Sequence, residues 1–171
     1  MHKLTKTTLT ILATAVLLGG CSPADFLNEQ FLASIVGSSA TTLPGNAPAL
    51  LVAVENQTGR PAAVQVAYRD ANNALRQYTA ALEPGQRTAK ALMCPVSEIT
   101  VGDLSDPLVT GAWIEMANGG AFIEVEPFGR VLKTPQNYDC GDGITFVLQP
   151  SGATRSGYQL FAYVQRASEG G

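Results

Sequence analysis

From Ala49 to Gln165 apolar residues recur at every second position in short runs, and Gly, Pro, Asn and Asp cut the runs apart. A side-chain period of two belongs to a strand, whose successive side chains point to opposite faces. Nine segments have strand length with alternation or β-branched content: ALLVAVE, AAVQVAY, LRQYTAAL, RTAKALM, SEITVG, TGAWIEM, AFIEVE, GITFVLQ and GYQLFAYVQ. Turn-forming stretches separate them at Asn56 to Pro61, Pro84-Gly85, Asn118-Gly119, Gly141-Asp142-Gly143 and Pro150 to Gly157. Pro84-Gly85 suits the centre of a type II turn, because proline fixes the first dihedral and glycine tolerates the second. No helical pattern interrupts these runs. The expected body is all-β, an antiparallel sandwich over residues 49–167, with a short disordered tail at 168–171.

The segment TGAWIEMANGGAFIEVEP permits a register to be assigned. Asn118-Gly119 is a preferred centre for a two-residue type I′ turn, in which both residues take positive φ. That turn sets Met116 against Ala121, Glu115 against Phe122, Ile114 against Ile123 and Trp113 against Glu124. One face then carries Ile114, Met116, Ala121, Ile123 and Val125, an apolar stripe for the core. The other carries Trp113, Glu115, Phe122, Glu124 and Glu126. A slip of one residue mixes the two sets, so the pattern favours this pairing. Several readings of the outward face compete. The aromatics are partly covered while the glutamates solvate the rim; or the face is a partner-binding patch; or it is a platform on which sugar rings stack. A paired-carboxylate hydrolase is the weakest reading, because an open sheet offers no water-excluding cleft to raise a carboxyl pKa.

The amino terminus obeys a different rule. Lys3 and Lys6 give a basic start, and residues 7–18 form an apolar run that is too short for the roughly 20 residues of a membrane span. A basic start, short apolar middle and small-residue exit describe a secretory signal peptide. The exit here is Leu18-Gly19-Gly20-Cys21. It resembles the lipobox of bacterial lipoproteins, which implies cleavage after residue 20 and a lipidated Cys21 as the first mature residue. Thiolate nucleophilicity explains the cysteine, which accepts the lipid as a thioether. Each buried methylene contributes about 0.8 kcal/mol, so two or three acyl chains hold a small domain firmly on a bilayer. Ser22 stands where lipoproteins kept in the inner membrane often carry aspartate. The resemblance therefore implies a cell-envelope address, with the outer membrane favoured.

Lipidation of Cys21 would leave Cys94 and Cys140 to pair, which removes an odd cysteine count that is unusual in an exported chain. An oxidising envelope favours the bond, and on a chain-entropy model a loop of this length adds about 4 kcal/mol. The competing reading is two inert buried thiols.

Residues 21–48 are expected to hold a short helix and a tether. Ser22 can cap the helix with Pro23 at its first position, Gly37 can end it, and Leu27, Phe31, Leu32, Ile35 and Val36 share one side. GSSATTLPGNAP reads as flexible. Without the leader the eleven basic residues fall to nine against 14 acidic, a net charge of −5. No basic cluster provides the footprint of a nucleic-acid binder.

Within the body, VAVENQTGRPAAVQVAYR and AALEPGQRTAKAL resemble immunoglobulin-like and fibronectin-type modules of bacterial surface proteins. Those modules place an Asn-x-Thr turn after an early strand and a Leu-x-Pro-Gly turn before a later one. The resemblance implies an immunoglobulin-like sandwich, though the tryptophan and disulfide arrangement of antibody domains is not found.

Catalytic signatures are missing from the sequence. The one histidine, His2, leaves with the leader, so neither a serine nor a cysteine nucleophile has an imidazole to activate it. Zinc sites need more histidines or cysteines than remain. Asp70, Asn72 and Asn73 are spaced faintly like a calcium loop but lack its glycine and distal glutamate. Asp103, Asp106, Asp139 and Asp142 read as turn formers that bond their own backbone. The expectation is a non-enzymatic lipoprotein without cofactor, a structural or partner-binding module whose partners are the bilayer and an envelope protein. The alternative is a carbohydrate-binding module using Trp113 and Phe122.

Overall fold

The structure, a computed structural model, describes residues 42–43, 47–117 and 119–167. The expected leader, the lipidation site Cys21, the expected helix and the tail at 168–171 lie outside the described residues.

Among the described residues eleven strands follow in order: β1 (Thr42–Leu43), β2 (Ala47–Asn56), β3 (Ala62–Arg69), β4 (Leu75–Leu82), β5 (Arg87–Met93), β6 (Glu98–Val101), β7 (Ala112–Glu115), β8 (Phe122–Glu124), β9 (Leu132–Lys133), β10 (Gly143–Pro150) and β11 (Tyr158–Gln165). All nine expected strands are present, β4 and β5 with the expected ends. The expected tether gives way at its end to strand, with Thr42 paired to Pro48 and Leu43 to Ala47. The two-residue strands β1 and β9 are too short to leave any period in the sequence.

Two sheets make the body. In the first, β2 lies between β5 and β10, β10 pairs onward with β11, and β1 adds to the start of β2. In the second, β4 pairs with β3 along its whole length, from Ala62↔Leu82 to Arg69↔Leu75. The other edge of β3 is therefore shared, with β7 meeting Ala62–Val64 and β6 meeting Val66–Arg69. Strands β8 and β9 extend these two partners outward. At the seam Gln65 donates to the carbonyl of Gly111 and accepts from the N–H of Gly102, at 2.7 and 3.0 Å. A Cβ on Gly111 would overlap the backbone of Gly102, so the seam closes only with glycine there.

The expected all-antiparallel pairing needs correction, because β2 and β10 run parallel, with Val52 opposite Ile144. The physical reason is visible in their composition. Ala49 to Val54 is buried at every position, without alternation, and Ile144, Phe146, Val147 and Leu148 are buried as well. Strands covered on both faces are those that tolerate parallel pairing.

The inner faces enclose one apolar core that includes Leu50, Val52, Val64, Val66, Ile99, Ile114, Phe146 and Leu148. Phe128 meets Phe146 edge to face at 5.7 Å, an arrangement that the ring quadrupoles favour. Tyr138 is buried, and its hydroxyl donates to the carbonyl of Val96 at 3.0 Å.

Two turns are joined at one end of the body. Asn56 is fully buried, and its amide nitrogen donates to the carbonyls of Arg60, Leu82 and Glu83 at 2.8, 3.2 and 3.1 Å. Its side-chain oxygen accepts from the N–H and hydroxyl of Thr58 at 3.0 and 2.6 Å. Gly85 takes a φ of 75°, and Gln86 N–H donates to the Glu83 carbonyl, as the Pro84-Gly85 type II turn requires. The β2–β3 and β4–β5 turns, far apart in sequence, are thus fastened by one amide.

Candidate functional site

The hairpin of β7 and β8 has the expected register: Trp113 opposite Glu124, Ile114 opposite Ile123 and Glu115 opposite Phe122. Its connection differs. Gly119 N–H donates to the Met116 carbonyl at 3.0 Å, and Met116 N–H donates to the Ala121 carbonyl at 2.8 Å. The loop therefore spans residues 117–120, with positive φ at Gly119 and Gly120, rather than being a two-residue type I′ turn. Loops of two and four residues preserve the same parity, which is why the register holds.

The inward stripe is only partly core. Ile114 and Val125 are buried, Ile123 is half-buried, and Met116 and Ala121 are exposed.

On the outer face, Trp113 lies between Ala63 of β3 and Glu124 of β8, and it is half-buried. Phe122 stands across from Glu115 and is 59 % exposed. Trp113, Glu115, Phe122 and Glu124 form a single group by register. Glu126 does not join it as an open carboxylate, since its Oε1 accepts the backbone N–H of Arg155 at 2.8 Å. That bond ties the end of the hairpin to the β10–β11 loop. The arrangement places two aromatic surfaces beside two carboxylates, suited to stacking and to accepting hydrogen bonds.

A groove of about 680 Å³ runs along the β8 edge, lined by Leu108, Thr110, Ile123, Val125 and Arg155 among others. No pattern in the sequence signals it. Leu108 is 78 % exposed, held outward by a turn in which its N–H donates to the Asp106 carboxylate at 3.0 Å. Asp103 similarly accepts from Ser105 N–H at 2.7 Å, as a turn former should. A second opening, of about 370 Å³, lies between β4 and β5. There Lys90 Nζ sits 4.5 Å from the centre of the Tyr78 ring, and burial raises the Tyr78 phenol far above its ordinary pKa.

Several other acids are used by the fold. The Asp70 carboxylate accepts from Arg76 at 2.9 Å and from the N–H groups of Asn72 and Ala74 at 2.9 and 3.0 Å. Its pKa is lowered, chiefly by the Arg76 hydrogen bond. Asp142 accepts from Asp139 N–H, Ala167 N–H and Arg166, so these two acids serve a turn and also anchor the end of β11. Among the described residues no cluster of three His, Cys, Asp or Glu is placed to hold a metal ion. Among those residues, too, no helix is long and apolar enough to cross a membrane.

Cys94 and Cys140 are joined in a disulfide with their Cα atoms 6.0 Å apart. The bridge connects the end of β5 to the approach to β10, on either side of the start of β2. Cys94 N–H donates to the Pro48 carbonyl and Gly141 N–H to that of Ala49, so the bridge braces an existing ladder.

No family profile and no curated protein matches this chain.

Proposed function

We propose that the protein is a bacterial lipoprotein, exported, cut before Cys21 and held on the envelope membrane by acyl chains on that residue. The observation that carries this reading is the Cys94–Cys140 bridge. It occupies two of the three cysteines, suits an oxidising compartment, and leaves Cys21 as the thiol for the lipid. Ser22 favours the outer membrane as the address. The body acts without catalysis, as a module that presents its outer sheet face to an envelope protein. Kinship with immunoglobulin-like modules belongs to the same reading, supported by two facing sheets and by the Asn56 staple between the two turns that carry the resemblance.

Trp113 and Phe122 are the contact residues of this proposal, with Glu115 and Glu124 at their rim. Cross-linking and pull-down from envelope membranes test it: the native chain should retain a partner that the Trp113→Ala/Phe122→Ala double variant loses. Equal capture by both removes the patch. The exposed Phe122 ring beside two carboxylates supports carbohydrate as a second ligand class, and a glycan array separates sugar from protein.

A further inference from the structure

Strand β11 closes one side of the first sheet. β10 holds one of its edges, and among the described residues nothing pairs with the other. In register with the β10–β11 ladder, Ser151 N–H donates to the Gly157 carbonyl at 2.8 Å. Antiparallel pairing alternates, so Gln159, Phe161, Tyr163 and Gln165 turn their backbone groups toward β10. Leu160, Ala162 and Val164 therefore present N–H and C=O to the outer edge. The Tyr158 carbonyl shares their parity but already accepts the hydroxyls of Thr154 and Ser156, at 2.7 and 3.0 Å.

Sheet edges are ordinarily blunted by charge, proline or a bulge. The sequence YQLFAYVQ of β11 contains neither a charge nor a proline, and it pairs with β10 residue for residue over its full length. The adjoining cation, Arg166, is engaged by Asp139 and Asp142 at 3.1 Å each.

We propose that the occupant of this edge is a second copy of the chain, paired antiparallel through β11 about a two-fold axis at Ala162. This register sets Ala162 against Ala162 and Leu160 against Val164 of the second copy, and every free edge group finds a partner. A register centred on Phe161 would instead call on Tyr158, whose carbonyl is taken. The side chains agree with the same choice. Phe161 falls opposite Tyr163 of the second copy, which is 56 % exposed in the single chain, and Gln159 falls opposite Gln165. From Gln159 to Gln165 each cross-strand pair is of like chemistry, Tyr158 falls opposite Arg166, and no like charges meet, as an isologous interface demands. The first sheet becomes continuous through the axis. The proposal does not depend on the membrane anchor or on the aromatic patch.

The test uses the full chain with Cys21→Ser, so that no other free thiol competes. Directly opposed hydrogen-bonded residues have Cα atoms about 5.5 Å apart, within disulfide reach. Under mild oxidation Ala162→Cys is expected to give at least tenfold more covalent dimer than Gln159→Cys, whose two copies would lie roughly 20 Å apart along the strands. In sedimentation the chain without added cysteines should dimerise with concentration, and Tyr163→Lys should weaken that association at least tenfold. A chain monomeric at every concentration overturns the proposal, as does equal cross-linking of the two cysteine variants.

Discussion

The side chain of Asn56 donates to the backbone carbonyl of Leu82, 26 residues later, from a fully buried position. Every polar atom of that amide is engaged, so a change there leaves several buried partners unmet. A buried group without its partner costs about 1–3 kcal/mol. Asn56→Ala is expected to destabilise the fold by about 3 kcal/mol. Asn56→Asp should cost at least as much, because a carboxylate would face three carbonyl oxygens. Chemical denaturation of both variants checks this, and a loss below 1 kcal/mol would contradict it.

The disulfide closes a span of 46 residues. Loop-closure entropy assigns such a bridge about 4 kcal/mol. Reduction, or Cys94→Ala with Cys140→Ala, should lower the melting temperature by about 10 °C while leaving the strand signal in circular dichroism intact. An unchanged melting temperature would show that the bridge adds nothing to the ladder beside it.

Glu98 bridges two cations, Lys133 at 2.9 Å and Arg69 at 3.1 Å. The hydrogen bond from Lys133, followed by that from Arg69, lowers its pKa below the ordinary 4.5. The unfolded chain therefore takes up the proton first as pH falls. The stabilisation is complete above about pH 4.5 and is lost as pH drops through the lower, folded value. These groups are partly exposed, and such pairs contribute about 1 kcal/mol or less. Glu98→Gln should cost that amount at pH 7 and nothing at the acid end, where the two proteins' stabilities converge.

Phe122 and Trp113 differ in exposure, and their substitutions should differ accordingly. Phe122→Ala is expected to change stability by less than about 0.5 kcal/mol, since its ring lies mostly in solvent. Trp113→Ala removes a half-buried indole packed beside Ala63 and should cost about 1–2 kcal/mol. Partner capture should fall with both, so Phe122→Ala separates recognition from folding.

The strands were legible because period two survives in short runs. LRQYTAAL and RTAKALM became β4 and β5 with their ends unchanged. The parallel β2–β10 pair was less evident, although the unbroken apolar run of Ala49 to Val54 carried the signal of a strand covered on both faces. Pairing between distant strands depends on which faces meet, and alternation alone does not encode that. In the candidate site the register of Trp113, Glu115, Phe122 and Glu124 followed from parity. The engagement of Glu126 by Arg155 did not, because it joins elements 29 residues apart. The groove beside Leu108 was hidden for the same reason.

Cys21 decides the central claim, and mass spectrometry of the amino-terminal peptide from the membrane-bound protein reads it most directly. The account predicts a mature chain that begins at Cys21 with a diacylglycerol thioether, its amine usually acylated as well. A soluble protein that retains residues 1–20 and an unmodified Cys21 thiol would contradict it.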